Sequence, residues 1–138
     1  MNIVEATGGR KKYRDIAIHT AYLCIDKLMP RMKTLEITIE FEKLDGEYGL
    51  CLEGVNNRTF TITIEKSLSL HEVISTIAHE MVHVKQYARN ELTHVDGKHM
   101  WKSRLYKKFN YWTCPWEKEA FAMEDELSSF VLDKLGIA

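Results

Sequence analysis

His79-Glu80-Met81-Val82-His83 is the stretch whose reading decides the rest of the chain. It lies in a run of helical character. Residues four apart share one helix face, so His79 and His83 can aim their imidazoles at one point. Two neutral imidazoles at that spacing make half of a tetrahedral zinc site, with Zn2+ the expected cofactor. Glu80 stands beside the first histidine, where a carboxylate can take a proton from a water activated by the metal.

Working backward, Ser69-Leu70-His71-Glu72 has the form of a capping box, so the helix begins there and runs to about Arg89. Val73, Ile74, Ile77, Ala78, Met81 and Val82 form its apolar stripe, best buried against a sheet. Upstream the period changes to two. Leu35, Ile37, Ile39 and Phe41 alternate with polar residues, as do Phe60, Ile62 and Ile64. Asp45-Gly46 reads as a hairpin turn, and residues 48–53 as a return strand. The expectation is a three-stranded antiparallel meander. Residues 14–29 carry apolar groups at helical spacing and end at Pro30, which predicts a helix. Residues 1–12 read as a flexible basic arm, and 13–138 as a single domain.

Working forward, residues 90–97 form a polar loop. Residues 98–112 interleave basic and aromatic side chains and read as an irregular segment. Lys102, Arg104, Lys107 and Lys108 there are candidate DNA contacts, since this composition suits nucleic acid. The whole-chain charge of −1 gives no basic footprint to match. Pro115 suits a helix start, and a last helix follows from Glu117 to about Leu135, stopped by Gly136. The fold class is therefore α+β: N-terminal helix, meander, HExxH helix, basic aromatic segment, C-terminal helix.

At 138 residues the chain can bury its own core, and 45% hydrophobic with 28% charged residues is the composition of a soluble globular protein. No apolar run approaches the length needed to span a bilayer, and no signal-peptide pattern opens the chain. Cys24, Cys51 and Cys114 are odd in number and widely spaced, which indicates reduced cysteines in a cytoplasmic protein.

A catalytic zinc takes three protein ligands and a water. Three residues can complete the set: Glu117, at the head of the last helix; Glu119, which points about 160° away around that helix; and His99, in the basic segment. Ala120, the neighbour of Glu117 on the helix surface, is small enough to let two helices approach closely and so favours Glu117.

HEMVH followed by Glu117-Lys118-Glu119-Ala120 resembles the gluzincin type of zinc metallopeptidase. Pro115-Trp116-Glu117-Lys118-Glu119-Ala120 resembles a segment of small HExxH proteins of phages and bacteria, and the order of elements resembles the SprT-like core. The resemblance covers roughly residues 14–135. It implies a minimal zincin core in which His79, His83 and Glu117 bind zinc and Glu80 is the general base. It also implies a peptide or protein substrate, in a bacterial or phage-infected cell. The SprT-like pattern places a third histidine at His99 followed by glycine, where this chain has Met100. Many gluzincins carry Asp or Asn four residues after the ligand glutamate, where this chain has Phe121. Tyr106, Tyr111 and His99 are candidate oxyanion donors. The reading from a different class is a non-catalytic module, with or without zinc, that binds DNA or a phage or host protein through residues 98–112.

Overall fold

The computed structural model describes residues 1–106 and 109–138. It is α+β, with a four-stranded mixed sheet, a three-stranded antiparallel sheet and three helices. In chain order the elements are β1 (Ile3–Thr7), α1 (Lys11–Leu28), β2 (Glu36–Glu42), β3 (Gly49–Glu53), β4 (Thr59–Glu65), α2 (Leu70–Ala88), β5 (Leu92–Val95), β6 (Lys98–Trp101), β7 (Arg104–Tyr106) and α3 (Pro115–Leu135).

The first residues are not a flexible arm. Strand β1 pairs in parallel with β2, Val4 opposite Ile37 and Ala6 opposite Ile39. Parallel neighbours need a crossover, and α1 supplies it. The side chain of Asn2 donates to Met32 O and accepts from Leu35 N, and the Tyr22 hydroxyl accepts from Val4 N. At the exit of β1, Gly8 has φ +79°, and a Cβ there would lie 2.5 Å from the Phe41 carbonyl oxygen. Only glycine fits that turn.

The meander expectation also gives way. The strand order is β1-β2-β4-β3, with β2 and β4 parallel and only β3 antiparallel to β4. Burial explains the order. Ile37, Ile39 and Phe41 of β2 stand opposite Phe60, Ile62 and Ile64 of β4, and all six are buried. These two strands have the most apolar surface to hide, so they share the sheet centre. Strand β3 has Leu50 and Leu52 exposed on its outer face and takes an edge. The Asp45-Gly46 turn therefore leads past β2's flank to the far side of β4.

Helix α2 is the centre of the molecule. It carries the capping box, with Ser69 Oγ accepting from Glu72 N and Glu72 Oε1 accepting from Ser69 N. Its residues from Val73 to Val84 are nearly all buried, because it packs against α1, α3, β3 and β4 together.

The segment expected to be irregular contains most of the second sheet, in the order β5-β6-β7. Asp96 and Gly97 both have positive φ, which is the two-residue turn that matches strand twist. Lys102 and Ser103 make the next turn with positive φ as well, a conformation that costs non-glycine residues strain. Leu92, Trp101, Cys114 and Trp116 form a small core beneath this sheet. Cys24 and Cys114 are buried and Cys51 half-buried, all as free thiols. No helix among the described residues is long and apolar enough to cross a membrane.

Candidate metal centre

His79 and His83 lie one turn apart on α2, their ring centroids separated by 5.1 Å. Glu117 reaches them from the first turn of α3. Its Oε1 lies 3.0 Å from His79 Nε2 and 3.2 Å from His83 Nε2, and its Oε2 lies 3.1 Å from His83 Nε2. Three features put Glu117 there. Pro115 and a non-helical Cys114 start α3. Trp116 is buried in the small core beneath the second sheet. Ala120 is fully buried between the helices. The helix N-terminus also favours a carboxylate in its first turn.

The outer nitrogens of both rings are engaged. His79 Nδ1 donates to Glu124 Oε1 at 2.8 Å, and His83 Nδ1 donates to Gln86 Oε1 at 2.8 Å. Gln86 is held in that orientation because its Nε2 donates to Trp116 O and Glu119 Oε1. With Nδ1 carrying the proton, each ring turns the lone pair of Nε2 toward the Glu117 carboxylate.

Two lone pairs and a carboxylate facing one another require positive charge between them. Burial works against charging His79, yet the Glu117 hydrogen bond and the Glu80 and Glu124 carboxylates outweigh it and hold its pKa up at about 9. Burial would raise Glu117, but the two imidazoles hold it down at about 2. A metal ion meets the same demand. The three donor groups lie within 4.8 Å of one another and are all buried. Metal–ligand bonds of about 2.0–2.2 Å in a tetrahedron separate the donors by about 3.3–3.6 Å, so the observed 3.0–3.2 Å needs only a slight opening. Two imidazoles and a carboxylate are a donor set that suits zinc.

Glu80 is buried beside the histidines and shares with His79 the wall of a cavity of ≈ 590 Å³. Burial, the largest influence on it, pushes its pKa above the ordinary carboxylate range. Gly49 of β3 lies directly across. A Cβ there would be 2.6 Å from Thr76 Cγ2 and 3.3 Å from Glu80 Oε2, so a side chain would press on the carboxylate and its support. Tyr111 lines the same cavity, and its pKa is pushed up to about 12 by burial and by the nearby Glu117 and Glu80 carboxylates.

The alternative third ligands, one oxyanion candidate and the described DNA-contact candidates lie away from this centre. Glu119 turns to Lys85 Nζ (2.9 Å) and Gln86, as its position around the helix from Glu117 requires. The His99 ring stacks on Trp116 at 5.0 Å and 7°, in the second sheet. Tyr106 packs edge-on against Trp116, away from the cavity. Lys102 Nζ lies 5.1 Å from the Trp101 ring centre, and Arg104 is exposed on β7. Lys107 and Lys108 lie outside the described residues.

The partner of His79 missing at Phe121 is Glu124. Its place seven residues after Glu117 was a usable signal, since two helical turns return to the same face. Gln86, three after His83, carried a similar one. Gly49 carried none, because its constraint comes from Thr76 across the sheet–helix interface. No protein-family model, curated protein or solved structure matches this chain.

Proposed function

We propose that the protein is a zinc-dependent metallopeptidase, with His79, His83 and Glu117 as metal ligands and Glu80 as general base. One observation carries the reading: two imidazole nitrogens and a buried carboxylate converge at 3.0–3.2 Å, with a second buried carboxylate on the wall of the adjoining cavity. The geometry favours the gluzincin-like ligand set, through Glu117, over the SprT-like one through His99.

Zinc, when bound, supplies a Lewis acid that polarises a carbonyl and makes water more acidic. Glu80 takes a proton from the attacking water, and burial makes it a stronger base for this. The water oxygen bonds to the carbonyl carbon and the C–N bond breaks. Glu80 returns its proton to the leaving nitrogen, which gives a carboxylic acid and an amine. Tyr111 is the candidate donor to the oxyanion, since its hydroxyl is the protonated phenol at neutral pH. Among the described residues β3 pairs only with β4, so its other edge is free to take an extended peptide by strand addition.

The test uses zinc-loaded protein and fluorescently labelled casein. Glu80→Gln should keep one zinc per chain and lose cleavage by about a hundredfold or more. Cleavage by that variant at the wild-type rate would remove Glu80 from its role. Wild type that binds no zinc and is unmoved by chelator would favour the non-catalytic binding module.

A further inference from the structure

Next to His79 the cavity has a wall of aromatic side chains. The Phe121 ring meets the His79 ring edge-on at 4.6 Å, Trp112 stacks on Phe121 at 5.6 Å and 26°, and Tyr111 stands edge-on to Trp112 at 5.0 Å. All three line the cavity and keep much of their surface in water: 39% for Phe121, 50% for Tyr111 and 69% for Trp112. Three contiguous exposed aromatics leave apolar surface uncovered, and such patches mark places where another molecule sits.

The opposite wall is the start of β3, Gly49 and Leu50, on the free edge of the sheet. Away from the His79 centre the charge around the cavity is acidic. Among the described residues, Glu47, Glu80 and Glu124 line it and no lysine or arginine does. A carboxylate entering would give up water against three aromatic faces and meet three other carboxylates, with positive charge only at the His79 centre itself. An apolar or cationic chain meets no such penalty.

We propose that Tyr111, Trp112 and Phe121 form a specificity subsite for a large apolar side chain, aromatic by preference. That side chain belongs to an extended peptide laid along the free edge of β3, and acidic residues are excluded from the subsite. This rests on the peptidase reading for what happens to the peptide, but not for its binding. Phe121 ties the subsite to the metal centre, because the ring that forms its floor also packs on the ligand His79.

The binding test uses zinc-loaded Glu80→Gln protein, so that no peptide is consumed. The probes are fluorescein-labelled nonapeptides Gly-Ser-Lys-Ala-X-Ala-Lys-Ser-Gly with X as Phe, Ala or Asp, followed by anisotropy. The Phe peptide should bind about tenfold or more tighter than the Ala peptide, and the Asp peptide weakest. Trp112→Ala should bring the Phe and Ala peptides close together with zinc content unchanged. Phe121→Ala should do the same, and Trp112 alone decides if Phe121→Ala loosens the metal. Equal binding of all three peptides, or a Phe preference untouched by Trp112→Ala, overturns the subsite. A second arm incubates zinc-loaded wild type with a proteome-derived peptide mixture and reads the cleaved bonds by mass spectrometry. Enrichment of Phe, Tyr, Trp, Leu or Met at one fixed position, with Asp and Glu depleted, supports the subsite. Cleavage without that bias overturns it. Selective binding with no cleavage supports the subsite and sinks the peptidase reading alone.

Discussion

Glu124 Oε1 lies 2.8 Å from His79 Nδ1, and it does so from the same helix that delivers Glu117 to His79 Nε2 at 3.0 Å. One helix therefore grips both nitrogens of one ring. The outer contact fixes which nitrogen carries the proton and aims the ring. Glu124→Ala should weaken zinc binding about 10–100-fold, the usual cost of losing such a partner. Titration of zinc against a competing chelator measures this. Unchanged affinity would mean that packing by Phe121 alone orients His79.

Zinc should stabilise the folded protein by linkage. At free zinc about 100-fold above its dissociation constant the gain is about 2.7 kcal/mol. Thermal unfolding with and without chelator should show the shift in wild type, and Glu117→Ala should abolish it. A shift that survives in Glu117→Ala would mean that the metal binds elsewhere.

Gly49→Ala should cost about 1–3 kcal/mol by overpacking, because the added methyl falls 2.6 Å from Thr76 Cγ2. Thr76→Ser removes that methyl, so the double variant should recover much of the loss. Urea unfolding of the four proteins in the cycle reads the coupling. Additive losses would place the strain at the Thr63 carbonyl or the Glu80 carboxylate instead, each 3.3 Å from the added methyl.

Ser69→Ala should destabilise α2, and with it the metal centre, by about 1 kcal/mol. The capping box also predicts a pH dependence. Glu72 is held below its ordinary range, first by the Ser69 backbone N–H and then by the Ser69 hydroxyl. A carboxylate with a depressed folded pKa adds stability that is present above the unfolded value of about 4.3 and is lost as pH falls through the folded one. Wild type should therefore lose more stability than Glu72→Ala between pH 6 and pH 3. Parallel urea midpoints for the two proteins would contradict this.

The helices were legible because their signals are local. HEMVH, the Ser69–Glu72 box, the stop at Pro30 and the Pro115–Gly136 limits all lie within a few residues of what they specify. The strands were legible as strands but not as neighbours. Pairing of β2 with β4 across β3 depends on which strands have a wholly apolar face to bury, and that is settled only once α1 and α2 cover that face of the sheet. Strand β1 was hidden because five residues beside a basic, glycine-containing stretch look like a terminus; its partner lies more than thirty residues away. The second sheet was hidden by strands of three or four residues joined by tight turns, one of them Lys102-Ser103, which carries no glycine. At the site, Glu117 was legible from Ala120 and helix position. His99 is a candidate by chemistry alone, and its place on Trp116 follows from the β5–β6 hairpin, whose short strands carry little signal in the sequence.

His83 and Glu117 are 34 residues apart in the chain. An ion held by both would act as a cross-link, closing a loop that contains the whole β5–β7 sheet. Releasing the ion would return that loop's closure entropy to the chain and let its two ends part. The small sheet, whose own core is four buried side chains, would then be the first region to open. A protease added to chelated protein should make its first cuts between residues 89 and 114, and added zinc should protect them. Metal supply would thus govern how long the protein survives in a proteolytic environment.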